Sequence, residues 1–123
     1  MERIAFIGTG RMGSHMVRNL VAAGYKLCIH DKNSEKCEEL IASGATWAES
    51  PQDAVSGAAL TISMLGEHSD VEKLWLAPGN ILDSLSPKSI LVDMSSSSVY
   101  VARRLAMQAS KLGVMALDAP VSG

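Results

Sequence analysis

Short apolar runs that alternate with stretches of helical periodicity predict an α/β protein built on a doubly wound parallel sheet. Two further observations agree. The apolar runs are near-continuous, as in strands buried on both faces. Each run also stops at small or polar residues, as strands do where an open parallel sheet ends in a concave rim.

The first run, 3–7 (RIAFI), is a strand closed by Gly8-Thr9-Gly10. Over 11–23 the apolar residues Met12, Met16, Val17, Leu20 and Val21 fall on one helical stripe, and Gly24 suits the left-handed position beyond the helix end. A second strand, 26–30 (KLCIH), stops at Asp31-Lys32-Asn33-Ser34. Ser34 reads as the N-cap of a helix through Ile41, followed by Gly44. A short third strand is expected over 45–47. Ser50-Pro51, a cap and then a proline at the first helical position, opens a short helix over 52–55. The fourth strand, 58–65 (AALTISML), leads to a helix over 69–76, and a further helical piece is expected over 80–85. The fifth strand, 89–94 (SILVDM), precedes a helix over 98–112. Ser98 is its expected cap, with Val101, Leu105 and Leu112 on its inner side and Gly113 at its end. A sixth strand covers 114–117 (VMAL). The right-handed crossover rule then favours double winding.

The chain has 123 residues, enough for one domain, and its hydrophobic fraction of 47% supplies a core without metals or disulfides. A charged fraction of 20% is too low for a disordered chain. The net charge of −2 and an aromatic fraction of 4% argue against nucleic-acid partners and against an anionic membrane surface. No apolar run approaches a membrane span, and the N-terminus lacks the apolar stretch of a signal peptide. An intracellular protein is expected, cytoplasmic or of the mitochondrial matrix. The chain ends just after the sixth strand with no closing helix, so 1–123 reads as one domain of something longer.

Gly8-Thr9-Gly10-Arg11-Met12-Gly13 is a G-x-G-x-x-G that follows a strand and opens a helix, the context that marks a dinucleotide site of a Rossmann-type fold. Gly8 permits the tight turn, Gly10 lets backbone approach a pyrophosphate, and Gly13 lets helix and strand pack closely. The helix N-terminus offers free N–H groups and partial positive charge to that anion. Asp31, at the end of the second strand, suits the two adenosine ribose hydroxyls and would repel the extra phosphate of NADP. It therefore points to NAD, although the Lys32 ammonium could reach a 2′-phosphate. Arg11 faces either the pyrophosphate or solvent. His15 is expected at the surface, and His68 in an exposed turn.

Cys28, His30 and Cys37 lack paired metal-ligand spacing and a fourth ligand, so no metal is expected. Cys28 reads as a buried strand residue and Cys37 as a helix residue. The serine run 95–98 lacks a G-x-S-x-G elbow. The methionines, Met12 excepted, read as core filler.

Four motifs carry a resemblance over the whole chain: GTGRMGSHM at 8–16, ISMLG at 62–66, VDMSSSS at 92–98 and DAPVSG at 118–123. The sequence resembles the β-hydroxyacid dehydrogenases. Its last motif is similar to the 3-hydroxyisobutyrate and tartronate semialdehyde branch rather than to imine reductases. The resemblance implies cofactor contacts at Gly8, Thr9, Gly10, Arg11, Met12, Gly13, Asp31, Lys32, Met64, Leu65, Gly66, Asp70, Ser95 and Ser96. Gly66 stands where the family has proline, and His30-Asp31-Lys32 replaces the Asn-Arg-Thr type triplet of NADP-dependent members. Ser122 and Gly123 are implied to hold the substrate carboxylate and hydroxyl. The family's catalytic lysine lies in a Lys-x-x-x-Asn setting that none of Lys26, Lys32, Lys36, Lys73, Lys88 and Lys111 has, so no catalytic residue is expected in 1–123. The family's C-terminal helical domain, which closes the site and makes the dimer, is likewise expected outside this chain.

The implied parent is an NAD-dependent dehydrogenase of a small hydroxy acid and a homo-oligomer. The chain alone is expected to bind cofactor without turnover and to self-associate through surface left uncovered. A non-catalytic cofactor-sensing or assembly module is the alternative. A methyltransferase on the same fold would also place an acidic residue after the second strand, but Met12-Gly13 and DAPVSG favour the dehydrogenase.

Overall fold

The structure is a computed structural model that describes residues 2–96 and 98–121. Six strands, β1 Arg3–Ile7, β2 Lys26–His30, β3 Thr46–Trp47, β4 Leu60–Ser63, β5 Ile90–Asp93 and β6 Met115–Asp118, form one sheet in the order β3-β2-β1-β4-β5-β6. Every pairing is parallel. The chain winds outward from β1 to β3, returns to the middle at β4 and winds out the other way. The expected doubly wound topology is therefore the observed one.

Side-chain alternation divides the core into two layers. Ile4, Phe6, Leu27, Ile29 and Ile62 face helices α1 (Arg11–Ala22) and α2 (Glu38–Ser43), through Val17 and Leu40. Ala5, Ile7, Cys28 and Leu91 face the other way. They pack on α3 (Pro51–Val55), α4 (His68–Trp75) and α5 (Val99–Lys111), through Val55, Trp75 and Leu105. Cys28 and Cys37 are both buried but lie in opposite layers, which separates them as ligands.

Local chemistry sets the helix starts. Ser50 accepts from Asp53 N at 3.1 Å and Ser98 from Val101 N at 3.1 Å, so both expected caps form. Ser34 does not cap. Asn33 takes that place, accepting from Glu35 N at 3.0 Å, and a 3-10 turn over Ser34–Cys37 runs into α2. The strand expected over 58–65 shortens to Leu60–Ser63, because Ala58 N is taken by Val55 O and the chain turns beyond Ser63. The piece expected over 80–85 is a single 3-10 turn, Leu82–Ser84. At the end of α5, Ala109 replaces Leu112 on the inner side, since the helix stops at Lys111 and Leu112 swings out.

The expectation of a sheet covered on both faces fails at one edge. The sheet is covered on both faces over β1 and β2, but β5 and β6 are covered only on the α5 side. Ile90, Met115 and Leu117 are therefore exposed, Met115 by 61%. Of the methionines expected as core filler, Met16, Met64 and Met94 do pack against the core, whereas Met107 and Met115 do not. Met12, Met107 and Met115 are exposed, while Met16, Met64 and Met94 are only half-buried.

The two halves of the sheet should thus respond differently to mutation. Leu91→Ala in the covered layer should cost about 2–5 kcal/mol in urea unfolding. Leu117→Thr on the bare edge strand should change stability by no more than about 0.5 kcal/mol. Equal costs would contradict this division.

Candidate functional site

The strand ends are level. Ile7 pairs with both His30 and Ser63, Ser63 with Asp93, and Asp93 with Asp118. Loops leaving β1 and β4 diverge to opposite faces, and a cleft of about 620 Å³ opens between them. That volume lies within the usual range of small-molecule sites. Its position, beyond the carboxyl ends at the switch in strand order, is where open α/β sheets bind ligands.

Gly8 and Gly13 make the cleft possible, and Gly10 leaves it open. Gly8 has φ +97°, and a Cβ there would collide with the Met64 carbonyl oxygen. The turn after β1 thus lies directly on the turn after β4. A Cβ on Gly13 would strike the Gly8 carbonyl oxygen and sit 3.2 Å from the Phe6 ring. At Gly10 a Cβ would meet nothing within 4 Å, so this glycine keeps space on the cleft side rather than solving a packing problem. Gly10 also begins α1, where no side chain caps the helix and no acidic residue occupies the first turn. The first-turn N–H groups are left for an anion.

Asp31 faces the cleft from the end of β2. Its Oδ2 accepts from Thr9 N at 2.8 Å and from Thr9 Oγ1 at 3.0 Å, and its Oδ1 accepts from Asn33 N at 3.1 Å. Burial alone would raise its pKa. The bonds from Thr9 and Asn33, with the Lys36 charge, outweigh burial and hold it below the ordinary carboxylate value. Three of the roughly four acceptor positions on a carboxylate are filled by the protein. One remains.

Most of the residues expected at the site line this cleft: Gly8, Gly10, Arg11, Met12, Gly13, Asp31, Lys32, Met64, Leu65, Gly66 and Asp70. Lys32 Nζ lies 3.8 Å from Asp70 Oδ1, joining β2's end to α4 across the mouth. Thr9 does not line the cleft. It is 1% exposed, and its hydroxyl lies between Asp31 and the Cys37 sulfur, 3.2 Å away, under the loop. Its contribution to the cleft is the seating of Asp31. Ser95 is also turned inward, buried against Asp93, and Ser96 is exposed beyond β5, outside the cleft lining. Ser122 and Gly123 lie outside the described residues.

Sequence reasoning missed His30, Pro51, Lys73 and Leu74, which also line the cleft. Lys73 and Leu74 follow Asp70 at helical i+3 and i+4 spacing, a signal that was available. His30 is held by the Ala48 carbonyl at 2.9 Å and stacks on Trp47, contacts that only the fold reveals. Among the described residues, no three His, Cys, Asp or Glu side chains gather as a metal would require. No helix among them is long and apolar enough to cross a membrane.

Residues 3–123 match the family described as the NAD binding domain of 6-phosphogluconate dehydrogenase. The chain belongs to this family. It is 41% identical, over its whole length, to an NAD-dependent L-serine dehydrogenase of Pseudomonas aeruginosa, and spans 41% of that protein. It is 37% identical to a 3-hydroxyisobutyrate dehydrogenase of the same organism, again covering 41% of it. Among solved structures, the 3-hydroxyisobutyrate dehydrogenase of Mycobacterium tuberculosis with L-serine superposes with a TM-score of 0.91 at 34% identity, covering all of this chain and 41% of that one. An imine reductase of Myxococcus stipitatus in complex with NADP+ gives 0.85 at 26% identity, covering 94% of this chain and 39% of that one. The cleft is thus that of a nicotinamide-dinucleotide-binding domain. Its free helix N-terminus and open Gly10 suit a pyrophosphate.

The glycines should separate by role. Gly13→Ala should cost roughly 1–3 kcal/mol of stability through overpacking. Gly10→Ala should cost less than about 1 kcal/mol, a cap effect only, yet weaken dinucleotide binding on the order of tenfold. Chemical unfolding and calorimetric titration of the two variants would check this.

Asp31 should stabilise the fold with a definite pH signature. Its lowered folded pKa means that its contribution is present above roughly pH 4 and is lost as pH falls through the folded value. Stability curves of wild type and Asp31→Asn should converge in that acid window. Curves that stay parallel would show that the Thr9 and Asn33 bonds do not favour the charged form.

Proposed function

We propose that this chain is the NAD-holding part of a dehydrogenase that acts on a small hydroxy acid, in the 3-hydroxyisobutyrate and L-serine dehydrogenase group. The observation that carries the cofactor choice is Asp31, a seated carboxylate facing the cleft from the end of β2. Its remaining acceptor position suits one ribose hydroxyl rather than two, and its charge repels a 2′-phosphate. The Lys32 ammonium is drawn toward Asp70, which weakens its claim on such a phosphate.

The first turn of α1 and Gly10 would hold the pyrophosphate. Met12, Met64 and Leu65 supply apolar parts of the cleft lining. When bound, the nicotinamide supplies the redox chemistry; the chain supplies orientation and electrostatics. Ser96 is proposed to approach the nicotinamide side, and Ser122 and Gly123 the substrate. A general acid/base lysine and a closing helical domain are proposed to come from sequence outside 1–123, because the chain spans only 41% of its relatives' length. The whole protein is then proposed to be a homo-oligomer of the cytoplasm or mitochondrial matrix.

Calorimetric titration with NAD(H) and NADP(H) tests the reading. NAD(H) should bind about tenfold or more tightly, and Asp31→Arg should reverse the order. An NADP(H) preference in the wild type would overturn the cofactor choice. Turnover of 3-hydroxyisobutyrate or L-serine by the 123-residue chain would overturn the assignment of the acid/base group to sequence outside it.

A further inference from the structure

Asp93 ends β5 and is 2% exposed, yet none of the ion pairs found among the described residues involves it. Its Oδ1 accepts from Ser63 Oγ at 2.9 Å and from Ser95 Oγ at 2.7 Å, with Ser95 N at 3.4 Å. Each serine carries a second bond. Ser95 Oγ accepts from Leu65 N at 2.7 Å, and Ser63 Oγ accepts from Trp75 Nε1 at 3.1 Å.

The direction of every bond follows from the groups themselves. An indole and a backbone amide only donate, and a hydroxyl has one hydrogen to give. Both serines therefore give that hydrogen to Asp93. The carboxylate is the shared end of two chains, Leu65 N to Ser95 to Asp93 and Trp75 to Ser63 to Asp93. Both chains begin on the β4 side of the cleft: Leu65 lines it in the turn 64–66, and the buried Trp75 ends α4, whose Asp70, Lys73 and Leu74 line it. Asp93 itself does not line the cleft. Burying a carboxyl group is costly unless it is hydrogen-bonded, and Asp93 depends on these serine bonds for that. Burial pushes its pKa up, the serine bonds pull against that, and Asp118 on the neighbouring strand adds to the rise.

We propose that Asp93 is a positioning residue for the cofactor cleft, setting the turn 64–66 through Ser95 and the seat of α4 through Ser63. The inference rests on the reading of that cleft as the NAD site.

The test compares Asp93→Ala, Asp93→Asn, Ser95→Ala and Leu85→Ala in the 123-residue chain. NADH affinity is read by calorimetry and protection of the Leu65 amide by hydrogen exchange. Asp93→Ala and Ser95→Ala should weaken NADH binding on the order of tenfold and deprotect the Leu65 amide. Asp93→Asn keeps an acceptor oxygen and should restore both. Leu85→Ala lowers stability in a buried position away from the cleft and should bind NADH as the wild type does.

Wild-type affinity in Asp93→Ala would overturn the proposal, as would an Asp93→Asn no better than Asp93→Ala or an equal loss in Leu85→Ala. If Asp93→Ala does not fold, Ser95→Ala removes the Leu65 arm alone and decides by the same two readouts. A wild type that binds neither dinucleotide would sink the NAD reading. The Leu65 amide would still report on the wiring, and a protected amide in Ser95→Ala would overturn that too.

Discussion

The contact between the turn after β1 and the turn after β4 is the constraint on which the site depends. These loops leave adjacent strands and head for opposite faces, so their backbones must touch at the base before they part. A Cβ on Gly8 would fall on the Met64 carbonyl, and one on Gly13 on the Gly8 carbonyl. Removing two side chains brings β1, α1 and β4 close enough for one floor to serve the whole cleft. The third glycine, Gly10, faces empty space. One six-residue motif therefore contains two kinds of glycine, two required by close backbone packing and one that leaves open space beside the cleft.

Charge in the cleft follows from the same packing. The uncapped start of α1 directs partial positive charge toward the middle of the cleft. Asp31 fixes a negative charge at one end, and it can do so because Thr9, trapped between the glycines, turns its hydroxyl and amide down onto the carboxylate. The loop that would hold the pyrophosphate thus also holds the residue that would meet the ribose. A substitution at Thr9 would act at both places without touching a ligand.

Most of the fold was legible because strand composition and helix periodicity are local signals. All six strands and the order of elements follow from them, and the caps Ser50 and Ser98 from side-chain chemistry. What was not legible depends on neighbours far along the chain. Leu117 and Met115 have the composition of buried strand residues, but whether a helix covers them is a property of the sheet edge. Asn33 and Ser34 are both good caps, and only the path of the turn after β2 decides between them. At the site, the glycines, Asp31 and the turn 64–66 are motif residues and were readable. Ser95 is implied as a ligand contact by the resemblance, as the neighbour of Ser96; its inward turn depends on Asp93 and Leu65, which it bonds.

Asp31 and Asp93 show why position along a rim does not set a carboxylate's behaviour. Both end strands of one parallel sheet, and burial raises the pKa of each. Asp31 receives two backbone N–H bonds and a hydroxyl spread over both oxygens, with a lysine nearby, and the balance falls below the ordinary value. Asp93 gathers its bonds on one oxygen, lies deeper and has Asp118 beside it, so its balance rises. The consequences for stability have opposite signs. Asp31 contributes above the unfolded carboxylate pKa of roughly 4 and loses that contribution as pH falls. Asp93 favours the fold most when protonated, and that advantage is lost as pH rises from the unfolded value through its higher folded one. Asp93 therefore subtracts stability as pH rises, and what it supplies is geometry: through Ser95 and Ser63 one oxygen ties the turn 64–66 and α4 to the end of β5.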